Sequence, residues 1–352
     1  MADKIRVVIV DDSVIFKTFL RNKLIAVRDI EVVASFADPV EAMERVPLIK
    51  PDVITVDMEM PKMRGNEFIR RVLPRTPGLK AIVISSISSN VFEALQAGAV
   101  DFVGKPNTQP GYSSDQFVED VIEKIRAAAS VKISPTAMTG HRPPQKPILS
   151  VLHKPGGLRA TEKTVIAIGA STGGTEAILE VIQTFPADMP GVVIVQHMPP
   201  GFTKAYAERA DKVCAMTVRE AQNGDRVTPG LVLVAPGGNR QMRIMTSGTG
   251  YSVDLRLGPR VNSHCPSVGV LFESVANAAG RNAVGVILTG MGADGAQSLK
   301  LMRQAGAHTI GQDEATCIVY GMPKVAFDIG GVAEQLPLKS IGPAVIKYID
   351  GL

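Results

Sequence analysis

A hydroxyl, an imidazole and a carboxylate stand at the ends of three apolar runs in the second half of the chain. TVIAIGASTGG (164–174) delivers Ser171, PGVVIVQHMPP (190–200) delivers His197, and AVGVILTGMGADG (283–295) delivers Asp294. A free serine is a poor nucleophile and needs a base to take its proton and a third group to orient that base. Taken singly, each residue has a plain structural use: Ser171 as a helix cap, His197 as a loop histidine, Asp294 as a turn former before Gly295. Taken together they make an acyl-transfer site, with Ser171 as nucleophile, His197 as base and Asp294 as orienter. The small loop Gly290-Met291-Gly292 could present N–H donors to an oxyanion, without the sequence saying which. His264, in VNSHCPSVGVLF, is a second candidate base, but it follows a hairpin region rather than a sheet strand and is assigned to substrate binding or structure.

The first half carries a different constellation: VVIVDDS (7–13), ITVDMEMP (54–61) and DFVGKP (101–106). Asp11, Asp12 and Asp57 follow short β-branched runs, so they can crowd at the ends of neighbouring strands. Three carboxylates repel unless a cation or proton intervenes, and oxygen ligands of this kind favour Mg²⁺. Lys105 offers a point charge for phosphate oxygens and Ser85 a hydroxyl, so the set reads as a phosphate acceptor.

Both halves must be alternating α/β structures to place these residues. In 4–129 the predicted strands are 5–10, 31–36, 53–56 and 81–84 with a stub at 102–103, and the predicted helices include 13–26, 39–46 and 117–129. This pattern predicts an N-terminal (βα)5 parallel sheet. Residues 164–352 resume the alternation as a doubly wound α/β domain, interrupted after His197 by short runs at 231–235, 241–245 and 251–257. The turns APGGN and TSGTG between them predict an antiparallel β-hairpin insert. In an open parallel sheet ligands bind beyond the carboxyl ends of the strands, so one sheet could gather Ser171, His197 and Asp294.

Between the halves, residues 130–163 are rich in Pro, Gly, Ser and Thr, lack periodicity and predict a flexible linker. The expected domains are therefore 1–129, the linker 130–163, and 164–352. A formal net charge of +4 is too mild to imply a nucleic-acid partner. Cys214, Cys265 and Cys317 are far apart and form no CxxC pair, which argues against structural zinc and a disulfide framework and fits a reducing cytosol. No signal peptide and no run long enough to insert in a membrane is visible.

The acidic and basic residues of 4–129 resemble the receiver domain of two-component response regulators. The resemblance implies phosphorylation of Asp57 by a histidine kinase, Mg²⁺ held by Asp11, Asp12, Asp57 and the carbonyl of Glu59, and a phosphate switch through Ser85 and Lys105. Lys105-Pro106 matches the family's KP pair, often joined by a cis bond. One departure is MRG, with Arg64 where the family carries an acid.

IGASTGGTEAI, QHMPPGFT, LTGMGADGA and YGMPKVAF resemble the catalytic domain of the chemotaxis protein-glutamate methylesterases, and the order receiver, linker, esterase is that family's order. The resemblance implies the same triad, Ser171, His197 and Asp294, and sets Thr172, Met291 and His264 around it, Met291 near the oxyanion site. Gly269 departs from the family's SVDVLF. It further implies a cytoplasmic, phosphorylation-activated hydrolase that removes methyl esters from receptor glutamates and deamidates receptor glutamines, with no cofactor for the esterase. Its partners would be the cytoplasmic domains of methyl-accepting chemoreceptors and the chemotaxis histidine kinase, and monomer is the default state. Two other classes remain: a receiver-regulated binding adaptor with an inactive hydrolase fold, and a nucleotide-dependent oxidoreductase built on GASTGG. The second is weakened by the absence of G-x-G-x-x-G and of an acidic ribose partner.

Overall fold

The computed structural model describes residues 4–86, 90–106, 112–131 and 163–352, so most of the expected linker, 132–162, lies outside the described residues. The chain forms two compact units, Met1–Pro143 and Pro144–Leu352.

In the first unit β1 (Ile5–Val10), β2 (Ile30–Phe36), β3 (Val53–Asp57), β4 (Lys80–Ser85) and β5 (Asp101–Gly104) make one parallel sheet in the order β2-β1-β3-β4-β5. Helices α1 (Val14–Ile25), α2 (Pro39–Ile49), α3 (Gly65–Val72), α4 (Val91–Gln96) and α5 (Ser114–Ser130) alternate with the strands. The chain leaves β1 for β2 on one side and later returns to β3 on the other. That reversal of strand order opens a crevice beyond the ends of β1 and β3, where Asp11 and Asp57 stand. Local chemistry starts the helices: the Ser13 side chain accepts from the Phe16 amide, and Ser113 and Gln116 form a reciprocal cap at α5. α2 continues to Ile49, beyond the expected end at residue 46, with Pro47 inside its last turn at the cost of one intrahelical donor.

In the second unit seven strands are parallel throughout: β6 (Val165–Ala170), β7 (Gly191–Gln196), β8 (Thr217–Glu220), β10 (Leu231–Val234), β13 (Ala283–Ile287), β14 (His308–Gln312) and β15 (Glu334–Leu336), in the order β15-β14-β13-β6-β7-β10-β8. A separate antiparallel sheet holds β9 (Arg226–Val227), β11 (Arg240–Ser247) and β12 (Gly250–Leu257) in the order β11-β12-β9. One sequence expectation is corrected here. Residues 231–235 do not belong to an antiparallel hairpin; Leu231–Val234 pairs in parallel with β7 and β8 in the main sheet. Their continuous apolar character, LVLV, suits a strand covered on both faces, whereas β11 and β12 alternate and keep one face open.

The helices of this unit are α6 (Gly174–Ile182), α7 (Phe202–Asp211), α8 (Val268–Ala279), α9 (Ala296–Gln304), α10 (Met322–Asp328) and α11 (Leu338–Asp350). Helix α8 joins the two sheets. Its Val268, Leu271, Phe272 and Val275 share one buried cluster with Val165, Ala167 and Val193 of the main sheet and with Met242, Ile244 and Val253 of the hairpin. Burying one such side chain is worth roughly 1.5–3 kcal/mol, so this cluster fixes where α8 begins. No helix of the described residues is long and apolar enough to cross a membrane.

Candidate active site

Strand β6 sits in the middle of the main sheet, flanked by β7 and β13. Ala170 pairs with Gln196, so Ser171 and His197 are the next residues off adjacent strand ends, and the His197 amide donates to the Ala170 carbonyl at 3.2 Å. On the other flank the Ser171 amide donates to Thr289 O at 3.0 Å, just past β13. Strand order reverses between β6 and β13, so this crevice too is a topological switch point. The approach is close: a Cβ on Gly290 would lie 2.8 Å from Ser171 Cβ and 2.4 Å from Met322 Sδ, so only glycine fits there.

Ser171, His197 and Asp294 are buried, at 1%, 8% and 2% exposure, and His197 Nε2 lies 2.9 Å from Asp294 Oδ2. Four further donors converge on the same carboxylate. Ser267 Oγ (2.8 Å), Asn262 Nδ2 (2.9 Å) and the Gly269 amide (3.1 Å) donate to Oδ1, and the Val268 amide donates to Oδ2 at 2.7 Å. The two amides open α8, where the helix dipole favours an anion. Burial works to raise the Asp294 pKa, but the His197 hydrogen bond and charge, with Asn262 and Ser267, hold it well below the usual carboxylate range. Asp294 is thus an anion that accepts only, and Nε2 of His197 is the protonated nitrogen. Nδ1 then carries the lone pair of a base. The ring nitrogens are exchanged relative to the serine-protease template, in which Nδ1 faces the carboxylate.

Two polar atoms of the site, Ser171 Oγ and His197 Nδ1, are buried with no hydrogen-bond partner. Such orphans are uncommon in a folded interior, and these two leave a hydroxyl and a ring nitrogen available to a substrate or a water. His264 stacks on His197, with ring centroids 3.6 Å apart and planes inclined by 17°. It therefore packs on the face of the candidate base. Thr172 is buried, and its carbonyl accepts from Thr289 Oγ1 at 2.9 Å. Met291 is half-buried in the loop after Gly290. The amides of Ser171 and Gly290 are already committed, to Thr289 O and Val319 O, which narrows the oxyanion donors the sequence had left open.

Several contributors escaped the sequence reading. Gln196 donates from Nε2 to the carbonyls of Ser171 (2.8 Å) and His197 (3.3 Å), tying the two strand ends together. Its signal was a polar residue closing an apolar strand. Asn262 and Ser267 gave none, since short polar residues in a proline-flanked stretch read as an ordinary turn and cap. All three cysteines have their thiols pushed up by burial, Cys214 to about 12, which suits inert side chains.

The first unit's crevice gathers Asp11, Asp12 and Asp57, with ligand oxygens within 4.8 Å of one another. Lys105 Nζ donates to Asp57 Oδ2 at 2.6 Å and to Asp11 Oδ2 at 3.0 Å, and lies 4.5 Å from the Phe16 ring centroid. Burial raises the Asp11 pKa; Lys105 opposes and Asp57 adds to the rise. For Lys105, burial works against the charge but the two aspartates prevail and its pKa is raised. An all-oxygen cluster with a net negative balance suits a hard dication such as Mg²⁺. The Glu59 amide donates to Asp57 Oδ1 at 3.2 Å, and Ser85 is fully buried at the end of β4, where its carbonyl accepts from the Lys105 amide. Gly65, the glycine of the MRG run, is required because its Cβ would lie 2.4 Å from Asp57 O. Arg64 is the N-cap residue of α3 and makes no side-chain cap bond. Cys265–Pro266 is cis, whereas Lys105–Pro106 is not.

A model of the CheB methylesterase family matches residues 166–345, and one of the response regulator receiver domain matches residues 7–111. The protein-glutamate methylesterase/protein-glutamine glutaminase 2 of Syntrophomonas wolfei is 49% identical over 349 residues, covering 99% of each chain. The chain belongs to the CheB methylesterase family. Another CheB relative, the protein-glutamate methylesterase/protein-glutamine glutaminase of Salmonella typhimurium, is 44% identical over 351 residues, covering 99% of this chain and 97% of that one. The crystal structure of the Thermotoga maritima CheB methylesterase catalytic domain matches with a TM-score of 0.51 and 34% identity, covering 53% of this chain and 98% of that one. The CheB assignment carries the enzyme class with it: a carboxylic ester hydrolase joined to a receiver.

Proposed function

We propose that this methylesterase works through Ser171, His197 and Asp294. Support comes above all from the coincidence of a donor-saturated Asp294 on one imidazole nitrogen with two buried, unpartnered atoms, Ser171 Oγ and His197 Nδ1. Ser171 Oγ attacks the γ-carbonyl carbon of a glutamyl methyl ester while His197 Nδ1 takes its proton. Asp294 stabilises the imidazolium so formed and does not itself take the proton. Collapse of the tetrahedral intermediate breaks the bond to methoxide, which leaves as methanol with the proton from His197. Water then repeats the cycle on the acyl-Ser171 ester and frees the glutamate. Donors for the oxyanion come from the Met291-Gly292 stretch, and Thr172 and His264 line the site. With a glutamine substrate the same sequence releases ammonia.

In the receiver, residues 1–129, Asp57 accepts a phosphoryl group from the chemotaxis histidine kinase. Asp11, Asp12, Asp57 and the Glu59 carbonyl hold Mg²⁺, which would supply charge neutralisation for the phosphoryl oxygens. Ser85 and Lys105 meet the phosphoryl group once it is in place. Residues 130–163 link this domain to the esterase at 164–352. Phosphorylation shifts the population toward an active esterase. The enzyme is a cytoplasmic monomer whose substrates are the cytoplasmic domains of methyl-accepting chemoreceptors.

The test is methanol release from methylated receptor membranes, with and without a small phosphodonor. The expected result is release that increases with the phosphodonor in the native chain and loses that increase in Asp57→Asn. A phosphodonor effect that survives in Asp57→Asn would defeat the regulatory part, and no methanol at all would leave the adaptor reading.

A further inference from the structure

The Asp294 cradle is supplied by one short stretch, residues 262–269, and the Gln241 side chain bonds that stretch to the hairpin. Gln241 accepts the Ser267 amide on Oε1 at 2.7 Å and donates from Nε2 to the carbonyls of Pro259 (3.0 Å) and His264 (3.2 Å). Ser267 gives its hydroxyl to Asp294, the next two amides do the same, and the His264 ring lies on His197. We infer that Gln241 is a positioning residue for the hydrolytic site, setting both the N-terminus of α8 that holds Asp294 and the His264 ring that backs His197. The inference rests on the triad proposed above.

The strand pattern supports it independently. Successive strand residues point to opposite faces, so Met242 and Ile244 share the core face of β11, and Gln241 shares the other face with Arg243 and Met245. Arg243 is exposed and Met245 is 44% exposed, yet Gln241 is only 4% exposed. The stretch it binds is what covers it. That stretch also needs holding: Asn262 and Ser263 both adopt positive φ, 51° and 69°, which non-glycine residues keep only when their surroundings impose it. A buried amide with all its bonds inside one loop is suited to fixing geometry, because each bond is directional and an apolar side chain of the same volume would leave the backbone groups unmatched. The Gln241 side chain bonds to Pro259, His264 and Ser267 and to none of the triad residues, so its effect passes through the cradle.

The experiment uses the full chain with a phosphodonor and compares Gln241→Met, Gln241→Glu, Ser171→Ala and a control, Ser274→Ala. The control removes the hydroxyl that accepts the Ile244 amide at 3.0 Å across the same α8–β11 interface, away from the cradle. Gln241→Met keeps length and loses all three bonds. It should lower kcat by about 10²-fold, the scale for an angstrom-sized misplacement of catalytic groups, with KM nearly unchanged. It should also broaden or remove the downfield proton resonance of the His197–Asp294 hydrogen bond. Gln241→Glu retains the acceptor for the Ser267 amide, so its kcat should lie between those of Gln241→Met and the native chain. It also carries the test if the methionine variant does not fold. Ser274→Ala should lower the thermal midpoint while keeping kcat and the downfield resonance. Native kcat in the Gln241 variants beside an inactive Ser171→Ala overturns the inference alone. So does a kcat loss in Ser274→Ala equal to that of Gln241→Met at the same loss of thermal midpoint. Turnover by Ser171→Ala overturns the triad itself, and the inference with it.

Discussion

Asp294 and Asp11 are both buried carboxylates near the ends of parallel sheets, and their surroundings push them in opposite directions. Asp294 receives five donors, two of them at a helix start and one the imidazole of His197. Asp11 shares its crevice with Asp12 and Asp57 and has one cation, Lys105, divided between itself and Asp57. The first environment freezes an anion in place, which suits a group that must orient a base and never react. The second leaves negative charge in excess, which suits a site that waits for a dication and a phosphoryl group. Asp11 directly follows β1, whereas Asp294 lies in the turn before α9, and the count of donors against carboxylates decides the role of each.

The widest separation between the two regions is in activity. Ser171→Ala should lower methanol release by about 10⁴-fold or more while leaving phosphorylation of Asp57 intact, as measured by labelled phosphodonor. Near-native turnover would remove the hydrolytic side of the contrast. Asp294→Ala comes next. It strands the Ser267, Asn262, Val268 and Gly269 donors and should destabilise the catalytic unit by about 3–5 kcal/mol, read as hydrogen-exchange protection confined to residues 163–352. Equal losses in both units would show that the two sites are not energetically separate.

Acid sharpens the same comparison. Asp294 has a depressed folded pKa, so its contribution is complete above the unfolded carboxylate value and is lost as pH falls through the folded one. Asp11 has a raised folded pKa, so its charge weighs against folding at neutral pH, and that cost disappears as pH falls through the raised value. Mg²⁺ should offset the same cost. At a concentration 100-fold over its Kd it should stabilise the receiver by about 2.7 kcal/mol, an effect that Asp12→Ala should reduce and that the catalytic unit should not share. Gly290→Ala should cost about 1–3 kcal/mol of stability by overpacking and should slow turnover as well, since the added methyl presses on Ser171. The smallest effect is expected from Arg64→Asp, which supplies the missing cap of α3 and should stabilise the receiver by about 1 kcal/mol without altering the esterase kcat.

Much of this was legible in the chain because parallel strands announce themselves. The apolar runs leading to Ser171 and His197 became adjacent strands of one sheet, the run ending at Asp57 became a strand of the other unit's sheet, and the resemblance correctly anticipated the CheB family. The misplacement of 231–235 has a simple origin: a short apolar run between glycine turns fits a hairpin and a buried parallel strand equally well until its neighbours are known. The cradle was illegible for another reason. Asn262 and Ser267 bond Asp294 across 32 and 27 residues of chain, Gln241 bonds Ser267 across 26, and nothing local marks a polar side chain as aimed at a distant partner. Arg64 and Gly269 were visible as departures, but only the structure shows that one leaves a helix uncapped and that the other places an amide on Asp294.

The join made by α8 has a consequence for how a cell could tell a finished molecule from an unfinished one. On the triad proposed above, ester cleavage demands that a hairpin, a helix and two strand termini, contributed by stretches spread over residues 171–294, all be seated at once. A partly denatured population could keep most of its circular dichroism and still be silent toward ester. Catalytic output should therefore fade before secondary structure on mild heating, making turnover the more sensitive thermometer of this domain's integrity.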